Sequence, residues 1–521
     1  GAVQEPNAFL ERHLLKSSYA LFKKLQKANL INEVGFKDLG AGGIACASVE
    51  LAETSGYGSE VWMDKIHIGM ENLHPSVYLC SETQERFMWV CSPKVTPMIL
   101  DHYNHEFDLP AISKGAKASV VGRIREDGQY IVHNGDEEIV NAPASEITKG
   151  FLYDRPSKPQ KKDHKEPNLL VLDNYDSILI DLLAHENISS REPIFEQYDK
   201  QVQGRVKLET GFADAGVLAP FNSKEYPEEI RNTGIALSTD HNPLHGLIDP
   251  YWCGVNATVE AMRNVAAVGA TPHALSDCLC FGNPENPSQM NEFIESVRGI
   301  IDVCNAVTLK HSPSDPTPVI AGNVSFYNES KNGSIPPSPI ISCLGLLKDV
   351  NKAISMSFQK SNSLIVLIGE RKNECGGSAY YNLHGDLGEN IPKPNLDEVK
   401  KQIFALTTAI DKELLLSCHD ISDGGFAVAL SEMTFDNNIG CEVKISSSLS
   451  IDKILFSETG GFILEVSIES FESVYDIFSN FGIEVFKIGY TGGSKIKINN
   501  AVDVSVENAK NKWLNGLRNK L

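Results

Sequence analysis

The sequence predicts an α/β protein (α+β in the broader sense) made by tandem duplication. The first observation is an echo. Asp38-Leu39-Gly40-Ala41-Gly42-Gly43-Ile44-Ala45 returns downstream as Asp420-Ile421-Ser422-Asp423-Gly424-Gly425-Phe426-Ala427. The flanks return in the same order. Tyr19-Ala20-Leu21 matches Phe404-Ala405-Leu406, Ser81-Glu82-Thr83 matches Ser457-Glu458-Thr459, and Val121-Gly122 matches Ile488-Gly489. One such match is chance; four in register indicate an internal repeat. The second observation is an alternation of strand-like and helix-like runs over residues 207–350, between the two copies.

Taken in order, residues 14–30 have helical spacing, with Leu15, Tyr19, Phe22 and Leu25 on one face. Val34–Phe36 is strand-like and ends at Asp38. Val77–Cys80 and Arg86–Val90 read as strand material flanking Ser81-Glu82-Thr83-Gln84-Glu85. Residues 118–124 and 130–133 read as a hairpin turning at Asp127-Gly128. The polar, Pro- and Lys-rich run 154–168 reads as a linker, followed by a helix over 177–185. Next come a strand over 234–238, leading to Asp240-His241-Asn242-Pro243, and a helix over 254–268. That helix carries Val255, Val259, Met262 and Ala266 on one face and ends at Gly269, with Pro272 beyond. A strand over 273–276 ending in Asp277, a helix over 289–307, and a strand over 319–321 ending in Gly322-Asn323 complete this part. The second copy opens with a strand over 363–369, and its helix carries Phe426, Leu430 and Met433.

The bulk numbers narrow the function. A chain of 521 residues makes about three or four domains. A net charge of −21 argues against nucleic acid or an anionic membrane as partner. Eleven cysteines with no C-x-x-C spacing fit buried thiols in a reducing compartment. There is no stretch of signal-peptide form and no 18-residue apolar run, so the expected location is cytoplasmic.

Each candidate site has two readings. Asp38 before Gly-x-Gly-Gly suits a Mg²⁺ carboxylate with backbone N–H groups facing phosphate, or an N-cap on a tight glycine turn. Glu82-Thr83-Gln84-Glu85 suits a cluster binding a hydroxyl-rich substrate, or a solvated turn. In the second copy Gly460-Gly461 replaces Gln84-Glu85, so that chemistry would be lost there. His419 and Asp423 lack a third ligand at fixed spacing, which favours a hydrogen-bonded or capping histidine over a metal ligand. Asp277 and Gly322-Asn323 close two strands of one sheet, where ligands gather. Their oxygens suit a hard cation bridging phosphates, or Asp277 is a loop cap.

The string Ser276-Asp-Cys-Leu-Cys-Phe-Gly-Asn-Pro-Glu285, with Ala321-Gly-Asn-Val-Ser-Phe-Tyr-Asn-Glu329, resembles the phosphoribosylformylglycinamidine synthase family. The Asp38 and His419–Gly425 motifs, Ser81–Arg86, and Arg191-Glu192 with Tyr198-Asp199 agree with it. The resemblance covers essentially the whole chain. It implies tandem A–B units of the aminoimidazole ribonucleotide synthetase-like fold. The first B-type domain would occupy 1–150, incomplete at its start, with a linker and connecting helix over 151–206. A second A-type domain would span 207–350 and a second B-type domain 351–521. It also implies an ATP-dependent ligase of purine biosynthesis. Formylglycinamide ribonucleotide would become the amidine through an iminophosphate, with ammonia from a separate glutaminase subunit and a small third subunit alongside. ATP is the co-substrate and Mg²⁺ the cofactor. Gln4, Glu82, Thr83, Gln84 and Ser325 would contact the ribonucleotide, Asp277 and Gly322 the ATP, and Asp38 and Asn323 Mg²⁺. The first A domain is expected to be absent, and with it the family's catalytic histidine and a Mg²⁺-binding glutamate. Asp240-His241-Asn242-Pro243 resembles the family's His-Asn-His-Pro string in form only. Two alternatives compete: a non-catalytic piece that binds nucleotide or partners, and a single-copy synthetase or kinase of the same superfamily, against which the duplication argues.

Overall fold

The computed structural model describes residues 7–68, 72–82, 85–160 and 163–521. The chain divides into two units, Gly1–Asp154 and Arg155–Leu521.

Unit 1 opens with the helix Ala8–Lys27, whose first turn is capped by the Asn7 side chain accepting from the Leu10 amide at 3.0 Å. Leu14, Leu21 and Leu25, spaced by seven and four, pack with Val95, Ile99 and Tyr103. Tyr19 is exposed, so the buried face is rotated from the one expected. Strand Val34–Asp38 pairs antiparallel with Phe87–Cys91, bringing Asp38 opposite Phe87. Helix Gly43–Glu53 follows the glycine turn. A separate four-stranded sheet runs in the order Gly122–Arg125, Gly58–Trp62, Gln129–Asn134, Glu137–Pro143.

Two local expectations fail here. Gly122–Arg125 and Gln129–Asn134 are not a hairpin: Gly58–Trp62 lies between them, antiparallel to one and parallel to the other. Pro75–Cys80 is a helix, not a strand. Pro75 takes its first position, where the missing N–H costs nothing, and His74 Nδ1 accepts from the Ser76 amide.

Unit 2 contains a six-stranded sheet in the order Val319–Ser325, Thr271–Cys280, Ser338–Leu347, Gly234–Asp240, Gly216–Leu218, Val206–Leu208. Helices Pro250–Ala267 and Pro287–Ala306 belong with it. Strand Ser338–Leu347 alternates half-buried and buried residues along its whole length, as a sheet with one covered face should. Its second sheet has seven strands, in the order Leu415–Asp420, Phe462–Val466, Leu364–Ile368, Phe486–Thr491, Cys441–Val443, Lys495–Ile498, Val502–Ser505. One apolar core runs through both sheets, joining Val255, Met262 and Ile341 to Ile403, Leu406 and Phe462. The polar run read as a linker is fastened to this unit. Glu166 accepts hydrogen bonds from the Tyr381 hydroxyl and the Glu389 amide, each at 2.7 Å.

The repeat is visible strand by strand. Val34–Asp38 with Phe87–Cys91 repeats as Leu415–Asp420 with Phe462–Val466, and Asp38↔Phe87 corresponds to Asp420↔Phe462. The four-stranded sheet of unit 1 repeats as Phe486–Thr491, Cys441–Val443, Lys495–Ile498 and Val502–Ser505, with the same antiparallel, parallel, antiparallel pairing. In the second copy Leu364–Ile368 bridges the two parts into one sheet.

Candidate functional site

The glycine turns are built alike in both copies. Gly42 and Gly43 have φ of 80° and 56°, and Gly424 and Gly425 have 79° and 71°. A Cβ on Gly43 would sit 2.5 Å from the Ser81 carbonyl oxygen, and one on Gly425 2.6 Å from that of Ser457. The left-handed backbone and the close approach each demand glycine. The turn starts a helix and packs against Ser81 in the first copy and Ser457 in the second.

What differs is the aspartate before the turn. Asp38 is exposed at the end of its strand. Asp420 is fully buried, and Arg263 Nε donates to its Oδ1 at 2.7 Å. Arg263 Nη1 lies 1.5 Å from where a Cβ on Gly460 would be, so that glycine makes room for the guanidinium. The guanidinium comes from the largely buried helix Pro250–Ala267, which carries one other charged residue, Glu260. Its signal in the sequence is a lone arginine in a helix buried nearly all round.

Arg263 belongs to a cleft within unit 2, lined also by Asp240, Glu260, Asp423 and Glu458. Burial raises all of these carboxyls: Asp240 to about 8, Asp420 and Asp423 each to about 6, and Glu260 and Glu458 well above the usual range. The neighbouring acids reinforce this, and Arg263 opposes it at Asp240, Asp420 and Glu260. Glu458 Oε1 accepts from the Gly424 and Ala379 amides at 2.8 and 2.9 Å, while its buried Oε2 has no partner among the described residues. His419 is held between two carboxylates, Asp214 at 2.6 Å and Glu432 at 3.1 Å, which raise its pKa well above the usual value despite burial. It is a hydrogen-bonded core histidine. Asn242 caps Pro243–Ile248 by accepting from the Leu244 amide at 3.0 Å. Arg263, Glu260 and Asp214 were not singled out from the sequence.

Asp277, Gly322 and Asn323 lie on neighbouring parallel strands, Asp277 in register with Gly322 and Cys278 with Asn323. Both strands run further than expected, Thr271–Cys280 and Val319–Ser325, so these residues sit inside strands, not at their ends. A Cβ on Gly322 would lie 2.3 Å from Asp277 Oδ1. Burial raises the Asp277 carboxyl, and a hydrogen bond from the Asn323 backbone amide partly offsets this. Strand alternation puts Asp277 on the face packed by the helices, together with buried Leu275 and Leu279. Asn323 and Ser325 belong to the open face. Convergence of the Asp277 and Asn323 side chains, expected from their shared sheet edge, is therefore not observed. The period of two sends adjacent positions to opposite sides.

Glu82 is half-buried. Glu85, with φ 58°, accepts from the Asn7 amide at 2.9 Å. Gln4, Thr83 and Gln84 lie outside the described residues.

Comparisons with known proteins follow this anatomy. A family model described as "AIR synthase related protein, N-terminal domain" matches residues 213–347. One described as "AIR synthase related protein, C-terminal domain" matches twice, over 1–133 and 360–499. Phosphoribosylformylglycinamidine synthase subunit PurL of Methanothrix thermoacetophila is 40% identical over 525 residues, covering 99% of this chain and 67% of that protein. The subunit from Anaeromyxobacter dehalogenans is 32% identical over 540 residues, with coverage of 99% and 67%. The chain thus spans about two thirds of these relatives' length. Among solved structures, Thermotoga maritima PurL complexed with ATP superposes with a TM-score of 0.61 at 19% identity, covering 95% of this chain and 69% of that one. The same protein complexed with FGAR gives 0.61 at 19%, covering 94% and 66%. The single N-terminal-domain match, the repeated C-terminal-domain match and these identities agree, and the chain belongs to the phosphoribosylformylglycinamidine synthase family, ATP-dependent ligases of purine biosynthesis.

Proposed function

We propose that the chain takes part in the ATP-dependent conversion of formylglycinamide ribonucleotide to formylglycinamidine ribonucleotide. ATP phosphorylates the amide oxygen, giving ADP and an iminophosphate. Ammonia adds at the same carbon and phosphate leaves, so a C–N bond replaces the C–O bond. The carrying observation is the 40% identity extending over 99% of the chain.

The residue roles rest on position and donor chemistry. Asp38 and Asn323 offer exposed oxygens, the donors that Mg²⁺ prefers. Asp420, the buried counterpart of Asp38 in the second copy, does not fit, because its oxygens already face Arg263. Bound Mg²⁺ would neutralise charge on the transferring phosphoryl group. Asn323 presents its amide on the open sheet face. Asp277 holds the neighbouring backbone from the other side, so its part in ATP binding is to position Gly322 and Asn323. Glycine at 322 leaves room for the Asp277 carboxyl on the packed side, and Gly322 would meet ATP through its backbone on the open side. Ser325, two residues on and on the same face as Asn323, would contact the ribonucleotide, as would Glu82 and, outside the described residues, Gln4, Thr83 and Gln84. Ammonia from a separate glutaminase, a small third subunit and a cytoplasmic setting complete the proposal. Among the described residues no helix is long and apolar enough to cross a membrane.

Calorimetric titration of ATP and of the ribonucleotide, each over a series of Mg²⁺ concentrations, tests it. Both ligands should bind, and Asn323→Ala should weaken Mg²⁺-dependent ATP binding about 10-fold or more, as expected for a lost contact to a charged group. Absence of binding by either ligand refutes the proposed function. Unchanged Mg²⁺ dependence in the variant removes Asn323 from the site.

A further inference from the structure

Strand Thr271–Cys280 carries two thiols that the proposed chemistry does not use. Cys278 and Cys280 are half-buried, and their Sγ atoms are 3.8 Å apart. They share the open face of the six-stranded sheet. Cys278 is in register with Asn323 on one side and Ile340 on the other, and Cys280 with Ser325 and Ser338.

The spacing separates two kinds of thiol chemistry. A disulfide brings its Cβ atoms to about 3.5–4.5 Å. Alternate residues of a strand are about 6.6 Å apart. This strand is laddered on both sides, so oxidation would have to buckle the sheet. A tetrahedral ion with metal–sulfur bonds of about 2.3 Å instead holds two thiolates about 3.8 Å apart. The sulfurs already stand at that separation.

We propose that Cys278 and Cys280 form a bidentate clamp for a thiophilic divalent cation, Zn²⁺ or Cd²⁺ in class, beside Asn323 and Ser325. Two protein thiolates leave two coordination positions for water or a small thiol, so the ion exchanges and is not a structural one. Among the described residues no group of three or more His, Cys, Asp or Glu side chains is placed to hold a metal, so no fuller site competes for it. A thiol gives up its proton when it binds the ion, so binding weakens as pH falls. An ion held here sets a second positive charge next to Asn323, and its effect on Mg²⁺-dependent nucleotide binding rests on the function proposed above.

The test is titration of the full chain with Cd²⁺ alone, reading the ultraviolet thiolate-to-metal absorption. One Cd²⁺ per chain is expected. Cys278→Ser and Cys280→Ser should each weaken binding at least 10-fold, whereas Cys80→Ser, which alters an exposed thiol elsewhere, should leave it unchanged. Circular dichroism on the near-isosteric serine variants controls for folding. Equal absorption in wild type and both serine variants, or its loss only in Cys80→Ser, overturns the clamp. ATP titration with and without Cd²⁺ gives a separate readout. If thiolate absorption is present and ATP affinity does not change, the clamp stands and the placement of Asn323 at the nucleotide falls.

Discussion

Replacing Arg263 with methionine removes the only cation bonded to Asp420 among the described residues while keeping most of the side-chain volume. Asp420 is 0% exposed, so water cannot take the place of the guanidinium. Breaking a buried pair by removing one partner costs about 3–5 kcal/mol. With a urea dependence of about 3 kcal/mol per molar, the midpoint should fall by about 1–1.7 M. The assay is urea unfolding followed by far-ultraviolet circular dichroism. The deficit should depend on pH. Asp420 already has a carboxyl pKa of about 6, and without Arg263 it rises further. A protonated acid needs no cation, so the deficit is greatest near neutral pH and shrinks as pH falls below about 6. Arg263→Met with Asp420→Leu should recover most of the loss, because no buried charge is left unpaired. A deficit below about 1 kcal/mol, or one indifferent to pH, would refute the claim that this pair holds the second copy's turn in place.

Three further outcomes are expected. Asp240, held near pKa 8, keeps a proton that the unfolded chain releases, so its contribution is full at low pH and is lost as pH rises through about 8. His241 and His245, pushed by burial to about 4 and about 3, act in the opposite sense but only below about 6.5. Unfolding free energy should therefore fall between about pH 6.5 and 8, by up to about 1.4 kcal/mol per pH unit from this residue, and Asp240→Asn should flatten that slope in a pH series of denaturant melts. Gly425→Ala forces a side chain into left-handed backbone, 2.6 Å from the Ser457 carbonyl oxygen, and should cost at least about 1–3 kcal/mol in the same melts; a neutral result would mean that the turn relaxes freely. The open sheet face carries Leu237, 45% exposed, with half-buried Ile340 and Leu344. The chain should self-associate through it, and Leu237→Lys should shift the sedimentation profile toward monomer; an unchanged profile would place the contact elsewhere.

The repeat and its glycine turns were legible because they depend on local rules: a positive φ beside a carbonyl calls for glycine wherever it occurs. The long helices were legible from their spacing and, for the first, from Gly269 and Pro272 at its end; their starts, at Asp249-Pro250 and Asn286-Pro287, lie ahead of the positions expected. The Val77–Cys80 run was not, since four apolar residues fit strand or helix equally and the preceding Pro75 decided it. Nor was the false hairpin: Gly58–Trp62 enters from far up the chain, and no short-range signal announces it. At the site, Asp277 and Asn323 were found by motif, but their opposite facing depends on where the strand ends, the least certain part of any sequence reading. Arg263 shows the converse. A charge amid Val255, Val259 and Met262 breaks the pattern, and only the fold shows that Asp420 waits for it.

The apolar core that joins the two sheets of unit 2 has a consequence for how this part of the chain comes apart. Helix Pro250–Ala267, from the first sheet's side, and helix Leu396–Asp411, from the second's, contribute to the same cluster. The first sheet loses its interior when the second melts, because Val265 and Ala266 would face water as soon as Ile403 and Leu406 withdrew. The second sheet has a further core on its other face, where Ile365 and Ile463 pack with Phe426, Leu430 and Phe456, so it outlasts the first. Amide hydrogens on Ser338–Leu347 should then exchange no more slowly than those on Leu364–Ile368, and a protease should open the first sheet's side before the second's. Stabilisation that a ligand brings to the Asn323 face is felt first by the sheet that carries it.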